Sequence, residues 1–234
     1  MEKGSEDGFF PVLKLASGIG ARTRLDIPKQ FYEIDGVPIL AYTVRTLCEI
    51  KKINEIIVAV PEEYLLYTSD FVKKLGLSKV SKIIPGGETR QKTVLKCLCE
   101  VDGNVDFVLI HDGARPFADK EDILNCIADA EKFGASAVGA RCADTLKKLD
   151  FDGFITETVD RENVYRIYTP QIFKKDLILN AHENADKNAV NVTDDCALIE
   201  KYGTKVKITE TERNNLKITT RDDIMYAEAV LKWE

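Results

Sequence analysis

Short apolar runs alternate along the chain with longer segments whose apolar residues recur every three or four positions. The runs Pro11–Leu15, Glu55–Val60, Val80–Ile84, Phe107–Ile110 and Ser136–Ala140 are mostly β-branched or aromatic. That pattern predicts strands covered on both faces. Between them, helices are expected from Pro38 to about Ile50, from Pro61 to about Leu75, over Thr89–Val101, and after a capping Asp119, where Ile123, Ile127 and Ala130 share one face. Strands separated by helices predict an α/β fold with a mostly parallel, twisted sheet and right-handed crossovers.

The rhythm breaks near residue 141. Thr145–Lys148 and Phe154–Thr158 flank Asp152-Gly153, a hairpin turn signal, so a protruding β-arm is expected over about residues 141–169. Leu177–Ala185 and Asp195–Lys201 read as helices, with Gly203 placed to end the second. Lys205–Ile208 reads as a strand and Asp222–Trp233 as a closing helix. No repeat or linker divides the 234 residues, which predicts one domain spanning 1–234.

Composition narrows the function classes. With 44% hydrophobic residues the chain can build a sizeable core, and with net charge −6 it lacks diffuse attraction to nucleic acid or anionic membrane. No run approaches the roughly 18 apolar residues of a membrane span, and the acidic first ten residues lead into no signal-peptide core. The six cysteines form no CxxC pair, so they are read as buried thiols of a cytoplasmic protein. Two histidines, His111 and His182, exclude a His-rich metal site; His111 is assigned no chemistry.

In a doubly wound sheet, ligands bind beyond the carboxyl ends of the strands, so the loops there carry the chemistry. Ala16-Ser17-Gly18-Ile19-Gly20-Ala21-Arg22 runs on to Pro28-Lys29-Gln30. Its glycines let backbone N–H groups approach a phosphate. A dinucleotide fingerprint would need a third glycine at Thr23, and a P-loop would need GK[ST]; neither is present. Pro85-Gly86-Gly87-Glu88-Thr89-Arg90-Gln91-Lys92-Thr93 ends a strand and opens a helix, with Glu88 in its first turn. A helix start favours an anion, and a carboxylate there can accept from an exocyclic amino group. Asp112, in His111-Asp112-Gly113-Ala114-Arg115-Pro116, suits Mg²⁺ shared with phosphates; the plainer reading is a turn aspartate bonding its own backbone. Thr158-Val159-Asp160-Arg161, Thr169-Pro170-Gln171, Thr193-Asp194-Asp195 and Asn215-Leu216-Lys217 are each, singly, a cap, a turn or a solvated charge. Arg22, Lys29, Arg90, Arg115, Arg161 and Lys217 with Asp112 describe a site for a polyphosphate and a second anion, the inventory of phosphoryl or nucleotidyl transfer.

The ordered segments ASGIGAR…PKQF, GGETRQKTV, HDGARPF, ADTLKK, TVDRENVY…TPQIF, TDDCALIE and NNLKIT resemble the 2-C-methyl-D-erythritol 4-phosphate cytidylyltransferases of the non-mevalonate isoprenoid pathway. They span residues 16 to about 220. The resemblance implies a Rossmann-like nucleotidyltransferase fold, a homodimer joined by the β-arm, Mg²⁺, and transfer of CMP from CTP to a sugar-alcohol phosphate. It implies catalytic roles for Arg22 and Lys29. It implies nucleotide contacts for Ala16, Ser17, Gly18, Ile19, Gly20, Gly87, Glu88, Arg90, Thr93 and Asp112, with Asp112 also the metal ligand. Arg115, Thr145, Arg161, Thr169, Thr193 and Lys217 match positions around the acceptor, with Thr145 and Arg161 serving the partner's site.

Three rival readings exist, one of them a catalytically dead nucleotide-binding module, against which the retained Arg22, Lys29 and Asp112 argue. The ribitol-5-phosphate cytidylyltransferases share the CTP loops, but TVDR and TDDCALIE follow the methylerythritol pattern. An NAD(P)-dependent Rossmann oxidoreductase requires the missing third glycine.

Overall fold

The computed structural model describes residues 10–16, 27–103 and 105–231. Its centre is a seven-stranded sheet. The strands are β1 (Phe10–Leu15), β4 (Ile53–Val60), β5 (Val80–Pro85), β6 (Phe107–Asp112), β7 (Ala135–Arg141), β10 (Tyr165–Lys174) and β11 (Lys207–Glu210), in the order β11-β7-β10-β6-β1-β4-β5. Two two-stranded sheets accompany it: β2 (Glu33–Ile34) with β3 (Val37–Pro38), and β8 (Lys147–Leu149) with β9 (Ile155–Thr158).

The main sheet is parallel except for β10, which runs antiparallel to both β6 and β7. This strand is absent from the hydrophobic pattern, where Thr169-Pro170-Gln171 reads as a turn. The reason is local. Pro170 has no N–H to give a ladder, and the β10–β7 register shifts between Ile167 and Gln171, which accommodates it. The β2–β3 hairpin is a second unforeseen element. Its Asp35-Gly36 turn has φ of 51° and 73°, the same Asp-Gly signal that marks the arm.

The helices follow the pattern closely. They are α1 (Ile39–Glu49), α2 (Leu65–Lys74), α3 (Arg90–Cys99), α4 (Lys120–Phe133), α5 (Lys175–Lys187), α6 (Asp195–Lys201) and α7 (Arg221–Leu231). Asp119 caps α4 as expected, accepting from the backbone N–H groups of Glu121 and Asp122. Helix α3 starts later than the pattern implies: Thr89 is its cap, so Glu88 lies outside the first turn. Pro61 opens a 3-10 turn over residues 62–64 before α2 begins.

Alternation along the strands divides the core in two. Val12, Ile56, Val58, Leu109 and Ile172 pack with α1, α2 and α4 on one face. Leu13, Ile57, Val108, Ile110 and Phe173 pack with α3, α5 and α6 on the other. Of the cysteines, Cys97, Cys126 and Cys196 are buried, Cys48 and Cys142 half-buried, and Cys99 exposed. The expectation of uniformly buried thiols therefore fails at Cys99, which falls on the outer side of α3. Among the described residues, no helix is long and apolar enough to cross a membrane.

One of the buried polar positions is a lysine. Lys14, the penultimate residue of β1, has 0% exposure, its Nζ 2.9 Å from His111 Nδ1 and 2.8 Å from the Asp112 carbonyl oxygen. Burial pushes the Lys14 ammonium well below its ordinary value, with Asp112 opposing and Arg115 assisting. Burial likewise lowers His111, and Lys14 adds to that. The unfolded chain therefore binds protons that the folded chain resists. Stability is expected to fall as pH drops below the ordinary histidine value of 6.5, and to rise with pH toward the ordinary lysine value of 10.5. His111 Nδ1 also lies 2.9 Å from the Asp112 carbonyl oxygen, a contact that Lys14→Met leaves available. The variant is predicted to be more stable at pH 7 by about 1 kcal/mol or more, with a flatter alkaline pH dependence. Urea unfolding at pH 7 and pH 9 checks this; a variant weaker at both would show Lys14 to be a net stabiliser.

Candidate active site

The carboxyl ends of β1, β4, β5 and β6 meet at one edge of the core. Asp112 ends β6 and pairs in register with Leu15, the last residue of β1. The two strand ends approach so closely that the Gly113 N–H donates to the Leu15 carbonyl at 2.6 Å. A Cβ on Gly113 would lie 2.7 Å from that oxygen and 2.8 Å from the Ala16 Cβ, so this position excludes a side chain.

The Asp112 side chain is 9% exposed and surrounded by cations. Lys217 Nζ lies 2.8 Å from Oδ2, Arg115 Nε 3.5 Å from the same oxygen, and Arg90 Nε 3.3 Å from Oδ1. Burial alone would raise this carboxyl. Arg90, Lys217 and Arg115 outweigh it and hold the group far below the usual carboxylate range. Its backbone N–H donates to Thr169 Oγ1 at 3.1 Å, which ties β6 to β10.

The two arginines are themselves held. Arg115 is buried, donates to the Asn215 carbonyl at 2.5 Å and lies over the Tyr168 ring at 5.0 Å. Burial lowers its pKa and Asp112 pulls it back. Asn215 donates in turn to the Thr169 carbonyl at 2.9 Å. Arg90, the first residue of α3, spans two acids: its Nη2 is 2.7 Å from Asp195 Oδ2. Burial works against its charge, but Asp195 and Asp112 more than compensate and raise its pKa.

The loop before α3 is closed from beneath. The Gly87 N–H donates to Thr93 Oγ1 at 2.9 Å, and that hydroxyl donates to the Thr89 carbonyl at 2.8 Å. A Cβ on Gly87 would fall 2.8 Å from Lys92, so the loop takes this path only with glycine. Thr93 is wholly buried, its hydroxyl turned to the backbone of Gly87 and Thr89. Its nearest role is therefore to shape the loop.

Ala16 is buried, and its carbonyl accepts from Gln30 Nε2. This bond joins the end of β1 to the 3-10 turn Lys29–Phe31. Phe31 stacks on Tyr64 with ring centroids 4.1 Å apart, which fixes the turn carrying Lys29 against the start of α2. Ser17, Gly18, Ile19, Gly20 and Arg22 lie outside the described residues.

Four expected site residues do not join the Asp112 cluster among the described residues. Glu88 is exposed and paired with Lys92 at 2.7 Å. Thr193 is exposed, and the cap of α6 is Asp194, which accepts from the Ala197 N–H at 2.9 Å. Thr145 and Arg161 are exposed at the base of the β8–β9 hairpin, where Arg161 donates to the Ala143 carbonyl.

The structure also adds residues that sequence reasoning passed over. Asn215 and Asp195 sit beside residues that were singled out, in motifs read as caps or turns. Lys14 had a visible signal, a lone charge inside an apolar strand. His182 had none.

The family model described as 2-C-methyl-D-erythritol 4-phosphate cytidylyltransferase matches residues 11–233. Proteins of that name from Clostridium novyi and Clostridium acetobutylicum are 41% and 42% identical over 219 residues. Those alignments cover 93% of this chain in both cases, and 94% and 95% of the relatives. A crystal structure titled 4-diphosphocytidyl-2C-methyl-D-erythritol synthase from Anaerococcus prevotii superposes with a TM-score of 0.86 at 32% identity, covering 97% of this chain and all of that one. The Francisella tularensis 2-C-methyl-D-erythritol 4-phosphate cytidylyltransferase superposes at 0.77 and 28% identity, covering 94% and 98%. The family model spans residues 11–233 and the two Clostridium relatives are 41% and 42% identical over 93% of the chain, so the chain belongs to the 2-C-methyl-D-erythritol 4-phosphate cytidylyltransferase family.

Proposed function

We propose that this chain transfers CMP from CTP to 2-C-methyl-D-erythritol 4-phosphate and releases pyrophosphate. The observation that carries the reading is the ionised Asp112 carboxylate with Arg90, Arg115 and Lys217 around it, at the end of the sheet where Ala16 opens the glycine-rich loop. Family membership supports the same substrates. The acceptor phosphate oxygen attacks the α-phosphorus of CTP in line, and pyrophosphate leaves with the P–O bonding pair. Arg22 and Lys29 stabilise the charge that builds on the α-phosphate and the leaving group. The start of α3 faces the nucleotide, and Lys217 holds the acceptor phosphate.

Mg²⁺ fits this donor set. Among the described residues no cluster of three acids, histidines or cysteines forms a ready-made metal cage. Mg²⁺ needs none: one carboxylate with substrate phosphates suffices. Asp112 would hold the ion, which would supply charge neutralisation at the phosphates. Of its three cationic partners, Lys217 is the most exposed, at 37%, and sits on a flexible stem. It is the one that can give up Asp112 and turn to the acceptor.

The arm completes the reading. Leu149, Phe151, Phe154 and Ile155 of the hairpin are exposed apolar side chains, which favours packing against a second copy. In such a homodimer Arg161 and Thr145 serve the neighbouring site. The free thiols favour a cytoplasmic setting.

Pyrophosphate release from CTP with each acceptor offered separately tests the assignment. Methylerythritol phosphate is expected to support turnover and ribitol 5-phosphate is not; faster turnover of ribitol 5-phosphate would reverse the acceptor. Lys29→Ala is expected to lower kcat by on the order of 10²–10³. Near wild-type turnover at saturating CTP would remove Lys29 from the chemistry. Lys217→Ala is expected to raise the acceptor KM by about tenfold or more, the scale of one charge-assisted hydrogen bond. An unchanged acceptor KM would refute that role.

A further inference from the structure

Behind Arg90 stands a second, wholly buried layer of charge. Asp195 is 1% exposed and His182 is 1% exposed. His182 Nε2 is 3.0 Å from Asp195 Oδ1, and the other carboxylate oxygen is 2.7 Å from Arg90 Nη2. Arg90 Nε then reaches Asp112 Oδ1 at 3.3 Å. His182, Asp195, Arg90 and Asp112 thus form one continuous polar chain from α5, through α6 and α3, to the end of β6.

The two neighbouring acids at the start of α6 divide their work. Asp194 caps the helix through the Ala197 N–H at 2.9 Å and accepts from Gln171 Nε2 of β10 at 3.0 Å. That double attachment fixes the backbone of α6 against the sheet. Asp195 is therefore presented inward from a fixed point, with His182 holding its far oxygen. A carboxylate buried this deeply persists only when both oxygens are engaged.

The distances show which acid anchors Arg90. The contact to Asp195 is shorter than the contact to Asp112, and it lies deeper. Arginine at the first position of a helix, with its side chain 29% exposed, has many rotamers open to it. Without a fixed partner the guanidinium would turn to solvent or close fully on Asp112.

We propose that Asp195, held by His182, is a positioning residue that fixes the Arg90 guanidinium for the nucleotide. The inference rests on the reading of Arg90 as a CTP-binding residue. Asp195 touches no substrate in this scheme; it acts only through Arg90. Lys217, which carries the acceptor in this scheme, is paired with Asp112 and not with Asp195.

The test is a double-mutant cycle with two substrates. Asp195→Asn keeps the shape and removes the charge. It is expected to lower kcat/KM for CTP on the order of tenfold to a hundredfold, the range seen when supporting partners are lost at metal sites, while the acceptor KM stays within about twofold. In an Arg90→Lys background, which cannot span both acids, adding Asp195→Asn should cost little more. Wild-type kcat/KM for CTP in Asp195→Asn, or equal losses toward both substrates, would overturn the inference, as would full additivity with Arg90→Lys. Asp195→Glu, which retains the charge, should recover part of the lost activity. A measurement on the wild-type protein covers the case in which these variants fail to fold. The Arg90 guanidinium should show hindered rotation by side-chain ¹⁵N NMR, and free rotation would refute the anchoring. If the wild-type chain releases no pyrophosphate from CTP, the functional reading fails, while the NMR result still decides whether Arg90 is held.

Discussion

The ionised Asp112 carboxylate is the constraint around which the site is arranged. It sits where water is largely excluded, so its charge persists only because Arg90, Arg115 and Lys217 converge on it. Those three come from distant parts of the chain. Arg90 opens α3, Arg115 follows β6, and Lys217 lies between β11 and α7. Holding one carboxylate thus couples the packing of three connections. The same strand end is tied to β10 through Thr169 and to β1 through the Gly113 N–H. An acid at this point binds the architecture together.

Around that centre the structure separates the side chains that meet Asp112 from those that hold the surrounding loops in place. Gly87 and Thr93 shape the α3 loop through backbone contacts, and Phe31 on Tyr64 holds the turn that carries Lys29. Asn215 links the Arg115 guanidinium to the Thr169 carbonyl. Such contacts are short, which suits a reaction whose catalysis is chiefly positioning and charge stabilisation. The exposed Glu88, Thr145, Arg161 and Thr193 form a different group. Their places on loops and at the base of the arm leave them exposed to solvent.

Much of the fold was legible because the sheet is buried on both faces. Continuous apolar runs such as Ile56-Ile57-Val58-Ala59-Val60 can hardly be anything else in a chain of this composition. Helix starts were legible where a cap has a side-chain signature, as at Asp119. The strand Tyr165–Lys174 was hidden because polar Thr169 and Gln171, with Pro170 between them, imitate a turn; only pairing with β6 and β7 on both sides makes this segment extended.

The candidate site divides along the same line. The chain alone singles out the loops after consecutive strands, because glycines, cations and a strand-end aspartate have few other reasons to cluster there. It also determined the family, through the order of those motifs. It could not determine partnership. That Arg90 meets both Asp112 and Asp195, that Lys217 reaches back more than a hundred residues, and that Lys14 is buried beside His111 are products of strand order and register. Coulombic and hydrogen-bond energies fall off over a few ångströms, and those distances exist only after the sheet has formed.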